Sequence, residues 1–291
     1  MIRMCPRSAA AGIALALMIA SDVHAVPLTA NFGVSMDDAG GTAIDADFTL
    51  SPTEHITLMA GAGYSAGSVE TVELRGTMLN AGASLYGDRA GVALGYDLFD
   101  DSTSYHAGTL GARAWVRAGE FEFTLLARQR DLGVELTLDL PLRTVRREIE
   151  FSALGAGLQV AFSRGNFNAY AMTIGYDYDE EFDDFLELSG SPLLDRRPRI
   201  EALFGSFLTQ TQGAIDRQTG LGVEHGFGRH SLALDLSYVH DAVLDAGSTS
   251  VVLTFRRAES ARLDWSISAG MADSEAYGGI AFLGGSLGLA N

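Results

Sequence analysis

The sequence predicts an all-β protein in which about fourteen antiparallel strands follow one another up and down and close into a transmembrane barrel. Three observations predict this fold. Apolar residues alternate with polar or small ones along most of the chain, short turns alternate with longer connections, and a secretory leader precedes the first strand. Alternation with a period of two places one set of side chains on each face of a strand.

Composition limits the classes of fold and partner. The chain has 291 residues, of which 47% are hydrophobic, and that much apolar surface excludes a disordered acidic tail. The formal net charge of −17 repels a phosphate backbone, so we expect no nucleic acid partner. The one cysteine, Cys5, lies in the leader, so the mature chain has no disulfide or thiolate metal site. No cofactor is indicated.

Residues 1–25 are predicted to be a cleaved secretory signal peptide. Arg3 and Arg7 supply its positive segment, residues 9–20 its apolar segment, and residues 23–25 a small-residue cleavage site. An apolar stretch of about 12 residues is shorter than the roughly 20 that a spanning helix needs. Residues 26–291 then form a single barrel domain.

The alternating segments define the strands. In a clear example, Leu232, Leu234, Leu236 and Tyr238 share one face, opposite Asp235. The candidate strands are 27–36, 42–51, 55–64, 75–86, 90–99, 106–117, 120–130, 148–163, 166–178, 217–227, 230–240, 247–257, 261–271 and 277–289. Residues 183–210 allow a long loop, a loop helix over 199–210, or two further strands, so twelve or sixteen strands are alternatives.

The connections favour a membrane barrel over a soluble β-sandwich, which would show the same alternation. Short turns are expected at 52–54, 87–89, 118–119, 164–165, 228–229 and 258–260, and longer connections at 98–104, 131–147 and 177–199. Short turns at one end and long loops at the other are typical of transmembrane barrels. Closure is then required, because lipid cannot satisfy an open sheet edge.

These features together resemble the Gram-negative outer-membrane β-barrel proteins of the small porin or channel type. The resemblance is architectural and covers residues 26–291, through the leader, alternating segments such as 232–238, and the rhythm of turns and loops. It implies an outer-membrane location with outer-membrane lipids and lipopolysaccharide as partners. The chain departs from the family at its end, Ser286-Leu-Gly-Leu-Ala-Asn291, where an aromatic residue is usual.

If the apolar face meets lipid, the ionisable residues of the other face line the lumen. Arginine on the lipid side would cost about 2–4 kcal/mol at the midplane, so these residues fix the strand orientation. The predicted lining residues are Asp45, Asp47, Asn80, Arg113, Arg117, Glu122, Arg128, Arg130, Glu150, Gln159, Asp177, Glu224, Asp235, Arg256, Arg262 and Asp264. Such charges either select small polar or charged solutes by their field or pair into a network that fills the lumen.

Two further groups of residues have a predicted location. The run 177–184 holds six carboxylates in eight residues and is predicted to be a solvated loop, with a Ca²⁺ site or a lipopolysaccharide bridge as the alternative; whether the protein holds a metal stays open. Tyrosines near strand ends or lipid faces are expected to form an interfacial girdle. They are Tyr64, Tyr86, Tyr96, Tyr170, Tyr176, Tyr178, Tyr238 and Tyr277.

The sequence therefore predicts a passive, porin-like channel for small polar or charged solutes. A non-conducting structural or interaction barrel with acidic external loops is the alternative. A barrel-rim hydrolase would need a histidine beside a nucleophile or carboxylate, and the surroundings of the mature histidines match no such motif, so we expect no catalytic site. Those histidines are His55, His106, His225, His230 and His240.

Overall fold

The computed structural model describes residues 26–38, 40–69, 72–101, 105–140, 143–189, 213–276 and 278–291. The predicted signal peptide, Tyr277 and the alternative loop helix over 199–210 lie outside these ranges. Within the described ranges, no helix combines the length and the apolar character needed to cross a membrane.

Fourteen strands and one helix make up the described chain. They are β1 (Leu28–Asp37), β2 (Thr42–Thr53), β3 (Ile56–Val69), β4 (Val72–Tyr86), β5 (Ala90–Asp100), β6 (Tyr105–Ala118), β7 (Phe121–Leu140), β8 (Arg143–Arg164), β9 (Phe167–Tyr178), α1 (Glu180–Ser189), β10 (Ile215–Phe227), β11 (His230–Asp241), β12 (Ala246–Ser260), β13 (Leu263–Ser274) and β14 (Gly278–Ala290). Each predicted strand is present, and the prediction of an all-β, fourteen-strand up-and-down barrel is confirmed.

The barrel closes between its first and last strands. β1 pairs antiparallel with β2 on one side and with β14 on the other, from Thr29 opposite Ala290 to Asp37 opposite Phe282. The last residue reinforces this seam, because the Leu28 amide donates to the Asn291 side-chain oxygen at 2.8 Å. Every strand therefore has two neighbours, and the sheet has no unpaired edge to expose to lipid.

Short turns join the strands at one end of the barrel. Three of them, Gly119-Glu120, Gly165-Asn166 and Gly228-Arg229, have two residues each and begin with a glycine at φ of 60° to 68°. Glycine adopts this left-handed conformation without steric cost, and two-residue hairpin turns require it. Both described chain ends, Val26 and Asn291, lie at this end, which we call the inner end; the opposite end is the outer end.

The apolar side chains of the alternating pattern lie on the outside of the barrel. Leu125 and Leu154 keep 64% and 67% of their surface exposed. They belong to a continuous belt around the barrel, which includes Val34, Ile44, Leu58, Leu94, Leu110, Phe123, Leu158, Leu221, Leu236, Leu253, Ile267, Met271 and Leu283. Exposed apolar surface on this scale indicates a lipid-facing surface.

Two connections differ from their predicted form. The predicted connection 131–147 is not a loop, because β7 continues to Leu140 and β8 begins at Arg143, and the two strands stay paired to that point. The predicted solvated loop 177–184 is also wrong, because β9 runs through Tyr178 and α1 begins at Glu180. Both differences concern the outer end.

Candidate pore and outer plug

The strand register places most of the predicted lining residues on the inner face. Residues opposite each other in a sheet point to the same side, and one such row runs from Asp47 through Gly61, Asn80, Asp97 and Thr109 to Arg130. The predicted residues on this inner face are Asp45, Asp47, Asn80, Arg113, Arg117, Glu122, Arg128, Arg130, Gln159, Glu224, Asp235, Arg256 and Asp264.

Three predicted lining residues lie elsewhere. Glu150 is on the outer face, in a row with Gly133 and His106. Asp177 is also on the outer face, opposite Leu154. Arg262 precedes β13 in the turn at the inner end and is exposed.

One sector of the inner face is acidic and recessed. Asp45 and Asp47 of β2 lie beside glycines of the neighbouring strands, and the Asn80 side-chain amide donates to the Asp47 carboxylate at 3.2 Å. Further round the barrel, Asn31 and Asp264 both lie against Gly288. We call the sector of Asp45, Asp47 and Asp264 the acidic wall. Its neighbours Gly33, Gly61, Gly284, Ser266, Ser268 and Ser286 are small, so they project little side-chain volume into the lumen.

Four of the predicted arginines lie on a different sector, on β6 and β7, and have partners there, whereas Arg256 lies on β12 opposite Ser266. Arg128 donates to the Tyr176 hydroxyl at 3.1 Å, and the Arg130 guanidinium lies 5.5 Å from the Tyr176 ring centroid. Arg117 forms an ion pair with Glu122 at 2.7 Å near the inner end. Arg113 lies 5.5 Å from the Trp115 ring. These guanidinium groups thus contact side chains of the barrel wall.

Helix α1 folds into the outer end of the lumen. Phe185 is fully buried and Phe182 is 6% exposed. Both pack on Phe151 of β8, with ring centroids 5.1 and 5.0 Å away, and Phe182 also stacks on Tyr178 at 4.1 Å. These rings belong to one buried cluster with Phe99, Tyr105, Leu132, Val134, Ile149 and Ala214. We call α1, anchored by Phe182 and Phe185, the plug.

The plug keeps its acidic side chains out of this cluster. Two phenylalanines three residues apart lie on one face of a helix, and the acids between and around them are exposed. These acids are Glu180, Glu181, Asp183, Asp184 and Glu187. The buried groups next to the plug include Arg130 and Asp101, each 2% exposed. The helix therefore occupies part of the lumen's outer end and presents negative charge on its exposed side.

A cavity of about 440 Å³ lies toward the inner end, lined by residues of β8 to β12. The Tyr170 hydroxyl donates to the Asp235 carboxylate at 2.9 Å across Gly222, and Glu224 and Arg256 line the same cavity. The predicted residues Glu224, Asp235 and Arg256 are thus brought together, whereas Asp45 and Asp47 lie on another part of the inner wall.

Sequence reasoning missed the inward tyrosines and the plug phenylalanines. The expectation of a tyrosine girdle is wrong for Tyr86, Tyr170, Tyr176 and Tyr178, which lie on the inner face, whereas Tyr64, Tyr96 and Tyr238 lie on the outer face. One available signal was the pair Phe182 and Phe185, whose helical spacing interrupts the acidic run.

Aromatic rings lie along the inner end of the outer face from β7 to β13. Phe121, Phe162 and Phe167 form one group, with centroids 5.2 and 6.2 Å apart. A second group continues from Phe227 through His230 and Phe255 to Trp265 at 5.5 to 5.7 Å. Rings at this level form the aromatic girdle that membrane barrels place at the lipid–water interface.

The packing of the acidic wall on glycine can be tested by substitution. A side chain at Gly61 would overlap the Asp47 carboxylate and approach the Asn80 amide nitrogen to 2.7 Å. We expect Gly61→Ala to lower the free energy of unfolding by about 1 kcal/mol, the low end for overpacking, because the ends of the Asp47 and Asn80 side chains can shift. Gly95→Ala is the control, because its added carbon would meet its nearest neighbour at an ordinary 3.7 Å. Urea unfolding in detergent, followed by tryptophan fluorescence, measures both; equal losses would contradict the packing argument.

The fold and its two faces define a class: a closed up-and-down barrel, apolar outside and polar inside, as in outer-membrane β-barrels. Among solved structures, the chain is similar to OmpT, an outer membrane protein of Vibrio cholerae. The outer-membrane expressed OmpT aligns with a TM-score of 0.51 at 9% identity, over 92% of this chain and 97% of that one. Its loop L8 deletion mutant gives the same score and identity over 92% and 98%.

A third structure, Pseudomonas aeruginosa OpdK with vanillate, aligns with a TM-score of 0.44 at 8% identity, over 91% of this chain and 98% of that one. No protein-family model matches the chain. No curated protein matches it either. The resemblance to outer-membrane barrels of the porin type is confirmed as one of fold.

Proposed function

We propose that this protein is an integral outer-membrane barrel that acts as a passive channel for small polar solutes and prefers cations. The observation that carries the proposal is the contrast between the two faces of the closed barrel. The outer face is a belt of exposed apolar side chains, while the inner face carries small residues and the acidic wall.

The membrane location is supported by the belt and by the aromatic rings at its inner end. Insertion into lipid removes the exposed apolar area from water, at about 25 cal/mol per Å². Charged residues of the outer face, such as Asp177, begin where the belt ends. Export by a cleaved signal peptide, with outer-membrane lipids and lipopolysaccharide as partners, is part of the same proposal.

The cation preference follows from the distribution of inner charges. The acidic wall has no arginine among the described residues in ion-pair contact with it, and the exposed side of the plug adds further carboxylates. Four inner-face arginines, in contrast, lie against tyrosine, tryptophan or glutamate on β6 to β9. Arg256 is the inner-face arginine nearest the acidic wall, because it lies on β12 opposite Ser266 of β13. Rings or walls of acidic side chains favour cations in a pore.

The plug favours a second candidate function, a non-conducting interaction barrel. If the plug closes the lumen, solutes do not pass, and the acidic outer surface serves contacts with cations or lipopolysaccharide. A hydrolytic role is not part of the proposal, and the inner carboxylates are assigned to binding and selection of solutes.

Planar-bilayer recording of the refolded mature protein tests the proposal. We expect discrete current steps. Across a salt gradient, we expect a reversal potential whose sign indicates selectivity for cations. A folded, inserted barrel without current steps would favour the interaction barrel. An anion-selective current would contradict the role of the acidic wall.

A further inference from the structure

The outer face carries a cluster of metal-ligating side chains beyond the lipid belt. His106 of β6 and Glu148 and Glu150 of β8 are exposed, and one ligand atom from each lies within 4.8 Å of the others. We propose that these three residues bind one divalent transition-metal ion of the Zn²⁺ class. This site is separate from the lumen.

The register explains how two non-adjacent strands supply the ligands. His106 and Glu150 lie opposite the same residue of the intervening strand, Gly133. A side chain at Gly133 would overlap the imidazole of His106. The glycine thus lets the imidazole lie across β7 toward β8. Glu148 and Glu150 are two residues apart on one strand, so they share a face.

The local charge favours a bound cation. Glu148 lies directly opposite Glu135 of β7, and like charges opposite each other destabilise a sheet. Arg146 is within 3.6 Å of Glu135, while no arginine whose side chain the structure describes forms an ion pair with Glu148 or Glu150. Three carboxylates and one arginine leave a negative patch beside the imidazole.

The donor set indicates the class of metal. An imidazole nitrogen combined with carboxylate oxygens suits Zn²⁺ and similar first-row ions, whereas Ca²⁺ and Mg²⁺ prefer oxygen ligands alone. Three protein ligands leave a coordination position for water. A bound ion would link β6 to β8 across β7 and thereby stiffen the long β7–β8 hairpin.

The position of the site allows access from water. Glu150 is fourteen residues along β8 from its inner end at Arg164, which is about 35 Å along the barrel axis for a strand that rises about 3.3 Å per residue with a tilt near 40°. The apolar band of such barrels is about 25 Å tall. The ligands therefore stand in the aqueous or headgroup region at the outer end.

Isothermal titration of the detergent-refolded protein with Zn²⁺ tests the site. We expect one ion per chain, and His106→Ala or Glu150→Gln should weaken binding by at least about ten-fold, the least that loss of a supporting group around a metal costs. His55→Ala is the matched control, because His55 lies 3.4 Å from Glu54 in an exposed pair without a third ligand. Its Zn²⁺ affinity should equal that of the unmodified protein.

Two further measurements make the result specific. Gly133→Ala, which displaces the imidazole but removes no ligand, should also weaken Zn²⁺ binding, and heat-modifiable migration in gels verifies that each variant folds. Ca²⁺ and Mg²⁺ should compete poorly. The proposal is overturned if the unmodified protein binds no Zn²⁺, if His106→Ala binds as tightly as the unmodified protein, or if Ca²⁺ displaces Zn²⁺ readily.

Discussion

Replacing Phe182 and Phe185 together by alanine is expected to raise the single-channel conductance several-fold while the barrel stays folded. The plug is held in the lumen chiefly by these two rings, of which Phe185 is fully buried and Phe182 nearly so. Truncating a buried phenylalanine to alanine costs about 3–5 kcal/mol. A helix of ten residues is marginal on its own in water, so the variant helix should leave the wall.

The barrel itself does not depend on these contacts. Its closure rests on inter-strand hydrogen bonds and on the outer belt, neither of which involves α1. Removing the plug therefore widens the outer end and leaves the acidic wall in place. Cation selectivity should fall modestly, because an ion in a wider lumen passes farther from the acidic wall and salt screens the charge of that wall more strongly.

Single-channel recording of the double variant measures this effect, with Phe121→Ala/Phe167→Ala as the control. Those two rings belong to the outer face and are 45% and 40% exposed, so their loss removes the same side-chain volume without touching the lumen. Limited proteolysis within 180–189 reports release of the helix. If α1 becomes cleavable and the conductance does not change, the plug does not obstruct the pore.

The strands were predictable because lipid and lumen impose opposite polarity on their two faces. Within the belt this contrast holds strictly, as in Leu232 to Tyr238, and all fourteen strands follow from it. The positions of the strands can therefore be predicted from the local alternation alone, without information on contacts between distant residues. The pairing partners then follow from the up-and-down order.

Beyond the belt the pattern inverts, and this is why the outer end was predicted wrongly. There the outside is water and the inside is packed against the plug. Leu132, Ile149 and Phe151 accordingly face inward and are buried, whereas Asp131 and Glu150 face outward and are exposed. Assigning charged residues to the lumen therefore placed Glu150 on the wrong face and made 131–147 look like a loop.

The plug depends on contacts that no local pattern contains. Phe182 and Phe185 meet Phe99, Leu132 and Phe151 only because the barrel brings β5, β7 and β8 to one side of the lumen. The acids around the two rings give the segment the composition of a solvated loop. A helix was therefore detectable only through the spacing of its two aromatic residues.

Removing two of the three carboxylates of the acidic wall with Asp45→Asn/Asp47→Asn is expected to lower the cation preference of the channel strongly. Asparagine keeps the shape of aspartate, so the contact of residue 47 with Asn80 can persist while two negative charges are lost from the lumen. The field at a permeating ion then depends on Asp264, the remaining inner-face charges and the plug. The change should be largest at low salt, since the screening length falls from about 10 Å at 0.1 M to about 3 Å at 1 M.

The reversal potential across a salt gradient measures this loss, and Asp131→Asn/Asp273→Asn is the matched control. Both control acids are exposed on the outer face near the outer end, so that variant changes the formal charge equally without altering the lumen. A shift of the reversal potential toward zero in the first variant alone shows that Asp45 and Asp47 lie close to the path of the permeating ions. Equal shifts in both would mean that net charge acts from outside the pore, and no shift in either would mean that the acidic wall does not face permeating ions.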